Sequence, residues 1–374
     1  MNKLVSIIIL SYNRLQYFKE ALDSVLNQTY NPIELVIADD CSIDFDVCLH
    51  SRLGMSLEDY INAYRNRGMS VTIIKNEENV GTVKNIKNAV DSSKGEYIFA
   101  FGSDDVLYAD NSIEECIALM DKHHYDMLVV QLRRFSGNLE NMLYDVIDKT
   151  TFELIGENDR ISLSKRNMHG EAFFNVMHTK ALYKDLNFYS TPLYLVEDVY
   201  RNHLILKSHA NIGYNDNPVL KYRMSDSSVC TQKSDANLKR VYELESILST
   251  VMMDDLFDQY RKNLLNAPTT KKTILWGAGS ALEKSYDGIK RIFNKIHYIV
   301  DNDIAKHGTK FDGIEICPTD KLLSERKSNI MILVCSSFYY KGILRWLTDN
   351  GFEEDKNVLH CSHCVAPLLL AISS

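Results

Sequence analysis

The sequence carries no excess of positive charge: 42 lysines and arginines stand against 50 aspartates and glutamates, a formal net charge of −8. That balance argues against a nucleic-acid binder, which offsets phosphate repulsion with a basic field, and leaves only a local basic patch open. Low-complexity tracts and internal repeats are absent, and 45% hydrophobic with 25% charged residues is the mix of an ordinary globular protein. The opening Met1-Asn2-Lys3-Leu4-Val5-Ser6 runs straight into a strand-like stretch. It lacks the apolar core and small-residue cleavage site of a secretion signal, so a cytoplasmic location is expected. The tail from Val365 to Ile372 is apolar but too short to span a bilayer. It is expected to pack on a domain surface, with peripheral contact at the inner face of a membrane as the alternative. Cys361-Ser362-His363-Cys364 has metal-like spacing, yet no second ligand pair lies near it, which argues against a structural zinc. Most of the eight cysteines read as small core hydrophobes in a reducing compartment.

What is present is a repeating alternation of strand and helix signals. Leu4 to Leu10, Ile33 to Ala38, Val71 to Lys75 and Tyr97 to Phe101 are apolar runs of strand length. Helical patterns at Leu15 to Leu26, Leu57 to Arg67 and Val83 to Ser92 lie between them. Such alternation predicts an α/β fold, a mostly parallel sheet with helices on both faces. From Phe135 to Val229 the pattern is less regular, and an acceptor-specific region is expected there. A second βαβ pattern begins at Lys271, with strands at Thr273 to Trp276, His297 to Val300 and Met331 to Val334 and helices at Ala281 to Phe293 and Lys341 to Asn350. At 374 residues two domains are expected: 1–230, then a helical connector and linker over 231–270, then 271–374.

The strand ends concentrate polar groups: Ser11-Tyr12-Asn13-Arg14, Asp39-Asp40 and Ser103-Asp104-Asp105. In doubly wound sheets ligands collect at the carboxyl ends of strands. An acidic pair after a strand can simply serve a turn or a helix cap. Several pairs facing one crevice repel each other unless a cation or donor-rich ligand sits among them, and carboxylate oxygens suit Mg²⁺ or Mn²⁺.

In its first 230 residues or so the chain resembles the inverting family 2 glycosyltransferases of GT-A fold. The likeness rests on VSIIILSYNR (5–14), ADDCSID (38–44), Asn79-Val80-Gly81 with Asn85, Gly95-Glu96-Tyr97-Ile98, Gly102 to Asp105, and Glu197-Asp198, in that order. The resemblance implies a nucleotide-diphospho-sugar donor, a UDP-sugar by default, and a surface-glycan or lipid-linked glycan acceptor. It also implies roles. Tyr12 would meet the nucleotide base and Asp39 would accept a hydrogen bond from it, with Ser11 and Arg14 in the same donor loop. Asp104 would lie by the ribose and diphosphate, and Asp105 would ligate Mg²⁺ or Mn²⁺. Asp198 would be the general base, with Glu197 in support. Arg223, in Lys221-Tyr222-Arg223, would assist the leaving group. The chain departs from the family where many members carry Asp and it has Gly102, and where a His often follows and it has Ser225-Asp226. His178 and His169 are candidates for acceptor contact, with an ordinary core or surface histidine the preferred reading.

Two rival functions stay open at this level. A nucleotidyltransferase would show a basic, Gly-rich phosphate loop after the first strand, where this chain has Ser11 to Arg14. A non-catalytic nucleotide-sugar-binding scaffold would have no need of Asp198 beside Asp39 and Asp105. The C-terminal Trp276-Gly277-Ala278-Gly279-Ser280-Ala281-Leu282, followed by Asp301, is a broken Gly-x-Gly-x-x-Gly and resembles Rossmann-like modules. A tight strand-to-helix turn is its expected role, in a module serving assembly or acceptor placement. A homo-oligomer is left open.

Overall fold

A computed structural model describes residues 2–64, 69–168, 173, 175–224, 239, 243, 244, 246, 247, 251 and 270–361, apart from 337, 338 and 355. The expected connector at 231–270, His169, Ser225-Asp226 and the apolar tail therefore lie largely or wholly outside the described residues. The chain divides into two compact units, Met1–Leu244 and Glu245–Ser374.

The first unit runs β1 (Val5–Ser11), α1 (Phe18–Leu26), β2 (Ile33–Asp39), α2 (Phe45–Leu53), α3 (Leu57–Tyr64), β3 (Ser70–Lys75), α4 (Thr82–Ser92) and β4 (Tyr97–Gly102). It continues β5 (Val106–Leu107), α5 (Ser112–His123), β6 (Met127–Phe135), β7 (Met142–Asp145), α6 (Lys149–Gly156), α7 (Arg160–Met168), β8 (Val176–Thr179), α8 (Lys180–Leu186), α9 (Asp198–Lys207) and β9 (Ile212–Arg223). Among the described residues the sheet has the order β3-β2-β1-β4-β8-β6-β9-β5, with β7 paired to β6. The first four strands are parallel. Val5, Ile7, Ile8 and Ile9 of β1 are fully buried, as a central parallel strand covered on both faces requires. Each such side chain contributes about 1.5–3 kcal/mol.

Beyond β4 the sheet is mixed rather than mostly parallel. Strand β8 lies antiparallel between β4 and β6, while β6 and β9 run parallel to each other. The stretch expected to be irregular thus contains the 12-residue β9, whose pairing with β6 shifts register around Gln131. Bulges of this kind bend a strand and redirect its later residues. Here β9 carries Arg223 back to the turn after β4.

The second unit runs β10 (Lys272–Trp276), α10 (Ser280–Ile292), β11 (Ile296–Val300), β12 (Lys310–Phe311), β13 (Ile314–Cys317), β14 (Ile330–Val334), α11 (Tyr340–Asp349) and β15 (Val358–His360). Its sheet order is β12-β13-β11-β10-β14-β15, all parallel except β12. Ile274, Val300, Ile332, Val334, Leu347 and Val358 form its core. Gly277 sits at φ +102°, and the turn it opens is closed from within: Asp301 accepts from Ala278 N, Asp303 N and Lys306 Nζ at 2.7, 2.8 and 3.1 Å. No helix among the described residues is long and apolar enough to cross a membrane.

Candidate active site

Register alone brings three polar strand ends together. Ser11 lies opposite Asp39, and Leu10 opposite Gly102. Backbone bonds extend this past the strands, with Asp40 N donating to Ser11 O at 2.9 Å and Ser103 N to Leu10 O at 2.8 Å. The Ser11 hydroxyl is buried there without a hydrogen-bond partner among the described residues. Tyr12 follows, half exposed at 49%.

The loops after β1 and β2 are tied to each other. Asn13, at φ +55°, donates its amide to Ser42 Oγ at 2.8 Å and accepts from Ile43 N through Oδ1 at 2.9 Å. Asn tolerates this left-handed backbone better than most residues. Asp39 is buried, and its oxygens accept from Ser42 N at 2.8 Å and Ser42 Oγ at 2.5 Å. An ionised carboxylate has about four acceptor sites, so this turn leaves capacity for a further donor.

Arg14 ion-pairs with Asp104, linking the first loop to the turn after β4. Asp105, next to it, is buried and accepts from Arg223 N at 2.9 Å. The Arg223 guanidinium is spent beneath this turn: Nε donates to Asp104 O at 2.7 Å, Nη1 to Gly137 O, and Nη2 to Glu20 at 2.8 Å, with the group 4.0 Å over the Tyr17 ring. Arg223 therefore stands as a buttress behind Asp104-Asp105.

Burial, and then the Asp104 charge beside it, holds the Asp105 carboxyl well above the usual carboxylate range. A Cβ placed on Gly102 would lie 2.8 Å from Asp104 Oδ1 and 3.8 Å from Asp105 Oδ2. Two carboxylates thus converge on one small space whose crowding a divalent cation would relieve, and this donor set fits Mg²⁺ or Mn²⁺. No cluster of three or more His, Cys, Asp or Glu that could hold a metal occurs among the described residues.

The Asp198 segment is tied, through Tyr194, to the loop that precedes α4. Asp198 opens α9, its Oδ1 accepting from Val199 N at 2.8 Å. Four residues earlier, Tyr194 packs against Gly81 and donates its hydroxyl to Asn79 Oδ1 at 2.5 Å. Gly81 N and Val80 N in turn donate to Asp40, at 2.9 and 2.8 Å. Burial raises the Tyr194 phenol, and the Asp40, Tyr12 and Glu243 charges raise it further.

Two residues of this arrangement, Arg201 and Glu243, had no part in the sequence reading, and a third, Asp40, was read only as part of a polar strand end. Asp40, beside the singled-out Asp39, holds the 76–81 loop through Asn76, Val80 and Gly81. Arg201 is buried one turn below Asp198; burial lowers its pKa, but Tyr189, Asp198 and Glu197 outweigh that and leave it raised. The spacing Asp198-x-x-Arg201 was a signal that could have found it, since i and i+3 share a helix face. Glu243 accepts from the amides of Tyr194, Leu195 and Val196. His178, by contrast, is a core residue on β8, edge-on to Phe188 and pushed down to about 4 by burial.

A family model for glycosyl transferase family 2 matches residues 6–186, and one described as C2185-like, N-terminal matches residues 269–358. The poly(ribitol-phosphate) beta-N-acetylglucosaminyltransferase TarS of Staphylococcus aureus is 27% identical over 135 residues, 35% of this chain and 21% of that protein. The abequosyltransferase RfbV of Salmonella typhimurium is 33% identical over 111 residues, 29% of this chain and 30% of that one. The chain thus spans well under half the length of these relatives. Among solved structures, S. aureus TarS 1-349 in complex with UDP-GlcNAc is 19% identical with a TM-score of 0.49, covering 70% of each chain.

Proposed function

We propose that this protein, whose residues 6–186 match the model for glycosyl transferase family 2, moves a sugar, with inversion, from a nucleoside diphosphate donor to an acceptor hydroxyl. The observation that carries this reading is the meeting of Asp39, Arg14–Asp104 and Asp105 at adjacent strand ends, with the Asp198 segment anchored through Tyr194 to the 79–81 loop that Asp40 holds.

Tyr12 and Asp39 take the nucleobase, with Ser11 beneath. Arg14 and Asp104 stand at the ribose and diphosphate, and Arg223 holds their turn from behind. Asp105, with Asp104 beside it, would hold Mg²⁺ or Mn²⁺, which supplies positive charge to the departing diphosphate. Asp198 accepts the proton of the acceptor hydroxyl as that oxygen bonds to the anomeric carbon. The bond from that carbon to the diphosphate breaks on the opposite face, and the nucleoside diphosphate leaves. Glu197 and the buried Arg201, one turn further along the helix, support Asp198.

A UDP-sugar is the favoured donor, and a surface polysaccharide or lipid-linked glycan the favoured acceptor. A relative named for transfer to poly(ribitol-phosphate) supports a polymeric acceptor. The second unit is assigned to assembly or acceptor placement. A panel of UDP, dTDP, GDP and CMP sugars, scored by thermal shift with Mn²⁺ and by slow donor hydrolysis, identifies the base. Asp198→Asn is expected to lower kcat by about 10²–10⁴ while UDP affinity stays within about twofold. Loss of donor binding in that variant would falsify the assignment of Asp198.

A further inference from the structure

Three consecutive backbone amides, those of Tyr194, Leu195 and Val196, donate to one side chain, the Glu243 carboxylate, at 2.8, 2.8 and 3.1 Å. Bonds to an ionised acceptor are about twice as strong as neutral ones, so this is a firm local clamp. Tyr194 is gripped on its other sides as well. Lys239 Nζ lies 3.4 Å over its ring, its hydroxyl reaches Asn79, and its carbonyl accepts from Val83 N at 3.2 Å. The next residues along the chain are Glu197 and Asp198. A carboxylate that gathers the amides just before a helix start fixes where that start stands.

We propose that Glu243 is a positioning residue for the transfer reaction. By locking 194–196 against the loop that Asp40 organises, it sets the place of Asp198 relative to the donor corner. The proposal rests on the reading of Asp198 as the base. It also means that a residue from the stretch after β9 belongs functionally to the transferase site, although the family match ends at residue 186.

The test uses the full chain with Glu243→Ala and the isosteric Glu243→Gln, which keeps one acceptor oxygen and carries the test if the alanine variant does not fold. Amide hydrogen exchange, without ligand, is expected to be about tenfold faster or more at 194–196 in the variants. Unchanged exchange there overturns the clamp. In donor hydrolysis, kcat is expected to fall by about 10²-fold in Glu243→Ala with donor KM within about threefold, and Glu243→Gln to fall between it and the parent. Faster exchange with parental kcat overturns the positioning role. Asp198→Asn separates the two readings: if it retains parental kcat, the base assignment falls and this inference with it. An inactive Asp198→Asn beside a fully active Glu243→Ala overturns this inference alone.

Discussion

At Gly81 a single added methyl group should meet both backbone strain and a steric clash. Its backbone lies at φ +85°, ψ 162°, a region essentially reserved for glycine, and any other residue there carries about 1–3 kcal/mol of strain. An added Cβ would also stand 2.5 Å from Tyr194 Cδ2, 2.7 Å from Cε2 and 2.6 Å from the Tyr194 carbonyl oxygen. The neighbour cannot easily give way. The phenol is tied to Asn79, the carbonyl to Val83 N, and the amide to Glu243. Overpacking of this kind adds about 1–3 kcal/mol, so Gly81→Ala is expected to cost about 2–6 kcal/mol in all. If the strain is relieved by moving 194–198, the stability loss falls at the low end and the displacement reaches Asp198. A shift near 1 Å there costs about 10²-fold in turnover. Urea unfolding followed by far-UV circular dichroism, with kcat measured on the same preparation, checks both branches. A variant within about 0.5 kcal/mol of the parent and with undiminished kcat refutes the reasoning.

The Asp105 carboxyl, raised by burial and by Asp104, is a liability in the ion-free protein. The folded state keeps this proton longer than the unfolded chain, so the group costs no stability below its ordinary value of 3.8 and stability is lost as pH rises from there through the raised folded value. Asp105→Asn keeps an oxygen for Arg223 N and removes the titration. It is expected to be more stable than the parent at pH 8 in EDTA, to converge with it near pH 4, and to lose the advantage in Mn²⁺; identical pH slopes in urea would sink the idea. Arg160 donates to the carbonyls of Ile205, Leu206, Ser208 and Ala210 at 3.2, 3.3, 2.7 and 2.6 Å, closing the end of α9. Arg160→Met should therefore cost about 2–3 kcal/mol in the same urea assay, and a loss under about 1 kcal/mol would show those carbonyls are served otherwise.

How much of this was legible in the sequence depends on the physics of each element. The strands β1 and β2 announce themselves because strands buried on both faces need continuous apolar runs rich in β-branched residues. Helix α1 begins at Phe18 rather than Leu15, since left-handed Asn13 and the turn at Arg14–Tyr17 use up those residues first. Helix α2 was missed: Asp46, His50, Ser51 and Arg52 leave it little apolar periodicity. Strand β9 was hidden by Asn215-Asp216-Asn217-Pro218, which reads as a turn and instead marks the bulged stretch opposite Gln131. The strand-end carboxylates were legible because topology decides where they point. The role of Asp40 and the part of Glu243 were not, because they accept mainly from backbone amides some 40 to 49 residues away, which have no side-chain signature.

The cross-ties between the loops after β1 and β2 bear on how a nucleotide would be received. Asn13 and Ser42–Ile43 fasten the two loops to each other using only groups from the protein itself. A guest entering between them meets walls already standing, so little chain freedom is surrendered on arrival and the favourable contacts are not spent on ordering the host. A donor held at these two loops would thus be received by a pair of walls already joined to each other.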